Sequence, residues 1–334
     1  VSFTNCSTNN NSTVSESSSN AMYFPPTNGS ETWETQSISS LGWNQNAVQP
    51  LLDYLLLKNT KSFIILVNGK IVMENYFNGH TATSLWKWNS AGKTLTSTVT
   101  GIAEQEGYIN TNNKVSNYIG TGWTSAPLAK ENLITCKNLL KMDSGLDDTL
   151  GDDVAPSNLQ YMADAGTRWA YHNVYVKLQD VVEQATGQTW NNYFNTKLRD
   201  KIGMSSSGFW YIGTGANLGL RIYFSNSRSM ARFGLLTLHK GNWQGKQLLS
   251  ASWFKKATTP TSVNPEYGFM NYFLNTDKKL YPSAPASAYA HLGNGTNMIY
   301  VDEVNELVVV VRWIEGDSID EFLKKLLAAL PAKK

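Results

Sequence analysis

The chain has 334 residues, with 28 Lys and Arg against 26 Asp and Glu and a formal charge of +2. So even a balance gives no electrostatic reason to expect a nucleic-acid or anionic-membrane partner. A hydrophobic fraction of 41% fits a globular protein, and no apolar run reaches membrane-spanning length.

Residues 1–21 are rich in Ser, Asn and Thr and predict a disordered polar tail. Its opening, VSFTNC, makes Cys6 a candidate lipid anchor, with a periplasmic or envelope-attached location as the corollary. An unmodified cysteine in a polar tail is the rival reading. The second cysteine, Cys136, sits in a segment that reads as folded, so no disulfide framework is expected.

Residues 46–57 predict an amphipathic helix with Val48, Leu51, Leu52, Leu55 and Leu56 on one face. Residues 61–67 (KSFIILV) and 71–77 (IVMENYF) read as strands joined at Asn68-Gly69, a strong hairpin signal. A helix followed by an antiparallel hairpin excludes a dinucleotide-binding start, and no phosphate-binding glycine motif occurs. Residues 88–107, WNSAGKTLTSTVTGIAEQEG, then place Leu95, Val99, Ile102 and Ala103 on one helical stripe ending at Gly107.

From 108 to 220 the chain reads as a mainly helical lobe with loops rich in Asn, Asp and Gly. Helices are expected near 135–142 and 174–186. Helices at 227–238 and 250–257 return to the first lobe. The C-terminal part predicts strands at 267–275, 289–294, 296–304 and 306–314, the last (LVVVVRW) apolar enough to be central. A helix over 320–330 closes the chain. The fold class is therefore α/β in the α+β sense: an antiparallel sheet built from both chain ends and flanked by helices. Residues 22–107 and 221–334 form one lobe, with the helical lobe inserted.

Ser90 opens the long helix of 88–107, and Lys93 lies three residues on, on the same face. A serine hydroxyl needs a base within hydrogen-bond reach, and a lysine can serve if its surroundings lower its pKa. The spacing alone is weak, because Ser84–Lys87 and Ser252–Lys255 repeat it. Only Ser90 has an irregular lead-in, small neighbours and a long amphipathic helix behind it. Tyr171-His172-Asn173 lies at a loop-to-helix junction, although Tyr-x-Asn recurs at Tyr76, Tyr108 and Tyr193. His291-Leu292-Gly293-Asn294 ends a strand, where Gly293 permits close approach and the Asn294 N–H can serve as an oxyanion donor. The four histidines show no metal-ligand spacing, so no metal and no cofactor are expected. No G-x-S-x-G occurs.

Taken in order, these three elements resemble those of the serine β-lactamase/penicillin-binding-protein superfamily. The similarity is to its branch of class C β-lactamases, D,D-carboxypeptidases, family VIII esterases and 6-aminohexanoate-dimer hydrolases. The resemblance runs from about residue 46 to 330. It implies Ser90 as acylated nucleophile, Lys93 as base, Tyr171 as proton-transfer partner and Asn173 as its companion. It also implies His291 in the place of the lysine of a Lys-Thr-Gly element, and the N–H groups of Ser90 and Asn294 as oxyanion hole. The substrate would be a small ester, amide or peptide. Two departures stand out. His291 replaces lysine, which would make charge at the site pH-dependent. Leu292 replaces a hydroxyl residue, which weakens the case for carboxylate-bearing β-lactams. The rivals are a β-lactamase or peptidoglycan D,D-peptidase, and an idle binding module on the same scaffold.

Overall fold

A computed structural model describes residues 22–331 other than 275 and 277–279, so the readings of the tail and of Cys6 fall outside the described residues. Helix α1 (Val48–Leu57) leads into β1 (Ser62–Val67), β2 (Lys70–Tyr76), the short β3 (Trp86–Lys87) and helix α2 (Lys93–Gln105). Helices α3 (Ser116–Ile119), α4 (Leu128–Glu131), α5 (Cys136–Lys141), α6 (Lys177–Thr186) and α7 (Trp190–Phe194) come next, then β4 (Phe209–Ile212) and β5 (Arg221–Ser225). Helix α8 (Ser227–Leu238), the small hairpin β6 (Asn242–Trp243) and β7 (Lys246–Gln247), and α9 (Ala251–Ala257) follow. Strands β8 (Tyr272–Phe273), β9 (Tyr289–Gly293), β10 (Asn297–Asp302) and β11 (Leu307–Arg312) precede the last helix, α10 (Ile319–Ala329).

The main sheet has the order β2-β1-β11-β10-β9-β8, all antiparallel. It is built from both chain ends, and the LVVVVR strand is central. Why the strands read as continuous apolar runs is now clear. Every residue of β1, β10 and β11 is buried. Successive side chains feed two different cores. Ile64 and Leu66 join a cluster containing Leu95 and Val99 of α2 and Met230 and Phe233 of α8. Phe63 and Ile65 join another with Leu51 and Leu55 of α1 and Phe322 and Leu326 of α10. Helix α8 approaches so closely that a Cβ on Gly234 would lie 2.5 Å from Val308 Cγ1.

A second, three-stranded sheet of order β3-β5-β4 leads into the Ser90 segment. On its inner face Trp210 and Tyr223 pack against Phe194 of α7, with ring centroids 5.2 and 5.0 Å apart. Arg312 at the end of β11 ties the two sheets together. Fully buried, it donates to the Ser225 carbonyl at 2.6 Å.

Two local expectations need correction, and one strand was missed. Leu56 is off the buried stripe of α1, about half exposed. Residues 267–275 are not one strand: the chain turns at 268–271, where Gly268 N–H donates to the Asn271 carbonyl and Met270 takes a φ of 66°. Strand β4 went unread, because its alternation is masked by apolar residues on both faces.

Candidate active site

The nucleophile candidate sits on a 3-10 turn, Asn89–Gly92, that runs directly into α2. Asn89 adopts a φ of 49°, a left-handed conformation that asparagine tolerates better than most residues. The tight turn puts Lys93 Nζ 2.9 Å from Ser90 Oγ. Lys93 is almost wholly buried. Its ammonium lies 4.7 Å from the Tyr171 ring centroid and 4.6 Å from that of Tyr175. It also donates to Asn173 Oδ1 at 3.4 Å. Asn173 Nδ2 in turn donates to Asp152 Oδ1 at 2.9 Å. Ser90, Lys93, Asn173 and Asp152 thus form one polar chain.

The tyrosine and asparagine reach the lysine because His172 fixes the segment between them. Its Nδ1 accepts the Val174 N–H at 2.9 Å, and its Nε2 is 3.0 Å from the Asp147 carbonyl. Those partners assign the tautomer with the proton on Nε2. Burial holds this imidazole below its usual pKa, so it caps the following turn as a neutral ring. Tyr171 is walled by aromatic neighbours, edge-on to Tyr267 with centroids 6.4 Å apart and beside Tyr272 at 6.4 Å.

Strand β9 closes the other side. A Cβ on Gly293 would fall 2.2 Å from the Trp88 carbonyl and 3.1 Å from Ser90 N, so only glycine lets β9 lie against the serine turn. Asn89 Nδ2 donates to the Asn294 carbonyl at 2.7 Å, which pins the peptide beyond that glycine. Ser90, Lys93, Tyr171, Asn173 and Asn294 line one open cleft of about 420 Å³.

His291 is not in that cleft. It points to the α2–α8 side of the sheet, beside Phe233 at 5.4 Å and Tyr289 at 5.9 Å. There it borders a minute void of about 10 Å³ with Thr94, Thr98 and Asn271. Neither ring nitrogen has a hydrogen-bond partner among the described residues. Burial pushes its pKa down to about 3, so it supplies no switchable charge near neutrality, contrary to the expectation from its residue type. Leu292 alternates to the opposite face of β9 and packs with the α1–α10 cluster. It does not line the cleft, and the case it made against carboxylate-bearing substrates lapses.

A second expectation also fails. Burial works against the Lys93 charge, but Tyr171 and Tyr175, with help from Asp152, outweigh it and hold the ammonium above its usual range. Lys93 alone is therefore a donor to Ser90 Oγ and not a free base. Seven cleft residues escaped the sequence: Lys87, Asn89, Asp152, Tyr175, Asn217, Leu220 and Ile222. Tyr175 lies four residues beyond Tyr171, in the 3-10 turn Asn173–Val176 that follows it. Lys87 belongs to a Ser-x-x-Lys decoy, yet its lysine borders the cleft. Asp152 and Ile222 arrive by tertiary contact alone. The other decoy is set aside by position: Ser252 and Lys255 are exposed on α9.

An antiparallel sheet covered on both faces, with a serine–lysine pair at the start of a helix beneath it, defines a serine-hydrolase-like fold. The Beta-lactamase family model matches residues 60–322, and the chain belongs to that family. An uncharacterized protein of Alkalihalophilus pseudofirmus is 24% identical over 237 residues, 62% of this chain and 67% of that one. Among solved structures, a Bacillus anthracis protein provisionally assigned as a 6-aminohexanoate-dimer hydrolase aligns with a TM-score of 0.69. Its identity is 18%, covering 89% of this chain and 87% of that one. A D-stereospecific amidohydrolase from Streptomyces sp. gives 0.63 at 16% identity, covering 86% and 98%. Among the described residues no helix is long and apolar enough to cross a membrane, and no group of His, Cys, Asp and Glu could hold a metal ion.

Proposed function

We propose that this chain is a serine hydrolase that cleaves an ester or amide bond through an acyl-enzyme on Ser90. The observation that carries the reading is the 2.9 Å contact of Ser90 Oγ with a buried lysine in an open cleft. Lys93 and Tyr171 act as a pair. The Ser90 proton passes to the pair when it is one proton short, and the pair returns that proton to the leaving group. The Lys93 ammonium, buried beside the two rings, stabilises negative charge on the pair and on Ser90 Oγ. Asn173 orients the lysine, and Asp152 orients Asn173. The backbone N–H groups of Ser90 and Asn294 are the oxyanion donors in this reading, held in place by the Gly293 approach and the Asn89 side chain. Water then attacks the acyl-enzyme, with the same pair as base.

The test is hydrolysis of p-nitrophenyl acetate by the wild type and Ser90→Ala. The expected loss is at least ~10³-fold in kcat/KM. Full activity in Ser90→Ala contradicts the reading. A chromogenic cephalosporin assayed alongside tells whether β-lactams are turned over, a question that Leu292 no longer bears on.

A further inference from the structure

The second sheet presents an anomaly. An antiparallel sheet that packs one face on a core ordinarily turns a polar face to water. Here the inner face is filled by Trp210 and Tyr223, and the outer face is also apolar. Register places Phe209 opposite Phe224 and Tyr211 opposite Ile222, so these four share that outer face. Phe209 and Phe224 stack with centroids 5.0 Å apart and planes within 6°. Phe209 and Tyr211 each remain 46% exposed. Large aromatic rings paired and left in water are uncommon unless something covers them.

What covers them is indicated by continuity with the cleft. Ile222 lines the cleft with Ser90 and lies next to Tyr211 across the β4–β5 pair. Lys87 lines it too and lies opposite Phe224 across the β3–β5 pair. The chain then runs from Lys87 through two residues to Ser90. The apolar face therefore begins at the cleft wall and extends one strand outward from it. A group joined to the carbonyl attacked by Ser90 can reach this face over Ile222, with the Lys87 side chain at its edge.

We infer that the outer face of β4 and β5 is a substrate subsite for an aromatic or long aliphatic group, with Phe209 and Tyr211 as specificity-determining residues. This rests on the Ser90 hydrolase reading. Neither ring touches the reacting atoms; their contribution is to binding, through the apolar area they lose to water when the group docks.

The experiment compares kcat/KM for p-nitrophenyl octanoate and p-nitrophenyl acetate in the wild type, Ser90→Ala, Tyr211→Phe and the double variant Phe209→Ser/Tyr211→Ser. The wild type should favour octanoate. The double variant should lower the octanoate-to-acetate ratio by about tenfold, while Tyr211→Phe keeps it. An unchanged ratio in the double variant, including equal loss on both esters, overturns the subsite and leaves the Ser90 reading standing. Sedimentation of the same proteins identifies the other occupant. If the wild type associates, the double variant does not and the ratio is unchanged, the face is a contact between copies and the subsite is wrong. Acetate hydrolysis that is absent in the wild type or survives in Ser90→Ala overturns the Ser90 reading and the subsite with it.

Discussion

The start of α2 borders two cavities of opposite character. On one side Ser90 and Lys93 open into a cleft where the polar groups are chained by hydrogen bonds. On the other, Thr94 and Thr98 face a void scarcely large enough for one water, where His291 is buried without a hydrogen-bond partner among the described residues. Strand β9 serves both, sending His291 to the void and carrying Gly293 and Asn294 to the cleft. Adjacent residues of one motif thus have different tasks. The charge in contact with Ser90 is that of Lys93, while His291 is a packed neutral ring.

The largest expected effect breaks the cleft at its charge. Lys93→Met should lower kcat/KM on p-nitrophenyl acetate by ~10³-fold, measured by initial rates. An activity within tenfold of wild type would mean the proton leaves Ser90 by another route. Gly293→Ala should cost ~10²-fold, because the added methyl meets the Trp88 carbonyl and pushes β9 off the serine turn. A variant with wild-type thermal stability and wild-type rates would show that the Ser90–Asn294 spacing is not set there. Asp152→Asn should change the rate only about two- to threefold, since the carboxylate is exposed. Its removal takes away one of the charges that raise Lys93, so the alkaline rise of the pH–rate profile should move to lower pH. An alkaline limb that stays in place would take Asp152 out of the polar chain.

The smallest effect on rate belongs to His291, and its signature is stability. Burial lowers its folded pKa to about 3, below the 6.5 of an unperturbed histidine. Between those values the unfolded chain binds a proton that the folded chain does not. The contribution is complete above pH 6.5 and is lost as pH falls toward 3, amounting to about 3 kcal/mol by pH 4. Urea unfolding of wild type and His291→Leu at pH 7 and pH 4 should show that the variant loses this part of the pH dependence. Identical pH dependence in both proteins would place the imidazole in contact with water.

How much of this was legible in the sequence varies with what holds each element. Strands β1, β10 and β11 were readable because both faces are buried and the apolar runs are unbroken. Helix α8 was readable to the residue, and the Oδ1 of its N-cap Asn226 accepts the Ser229 N–H. Strand β4 was not, since its outward rings imitate a core pattern. Ser90 and Lys93 were legible as neighbours because a turn of fixed pitch joins them. The Lys93 pKa was not, because Tyr175 and Asp152 reach it from 82 and 59 residues away along the chain. The face chosen by His291 and Leu292 depends on which side of the sheet the cleft lies, which a strand's own sequence does not state.

Acylation of Ser90 underlies every step proposed for the cleft. The most direct measurement is mass spectrometry of peptides from protein treated with a fluorophosphonate probe, for wild type and Ser90→Ala. The expected result is one adduct, on the peptide containing Ser90, absent from the variant. An adduct on the peptide of Ser84 or Ser252, or one that persists in Ser90→Ala, would contradict it.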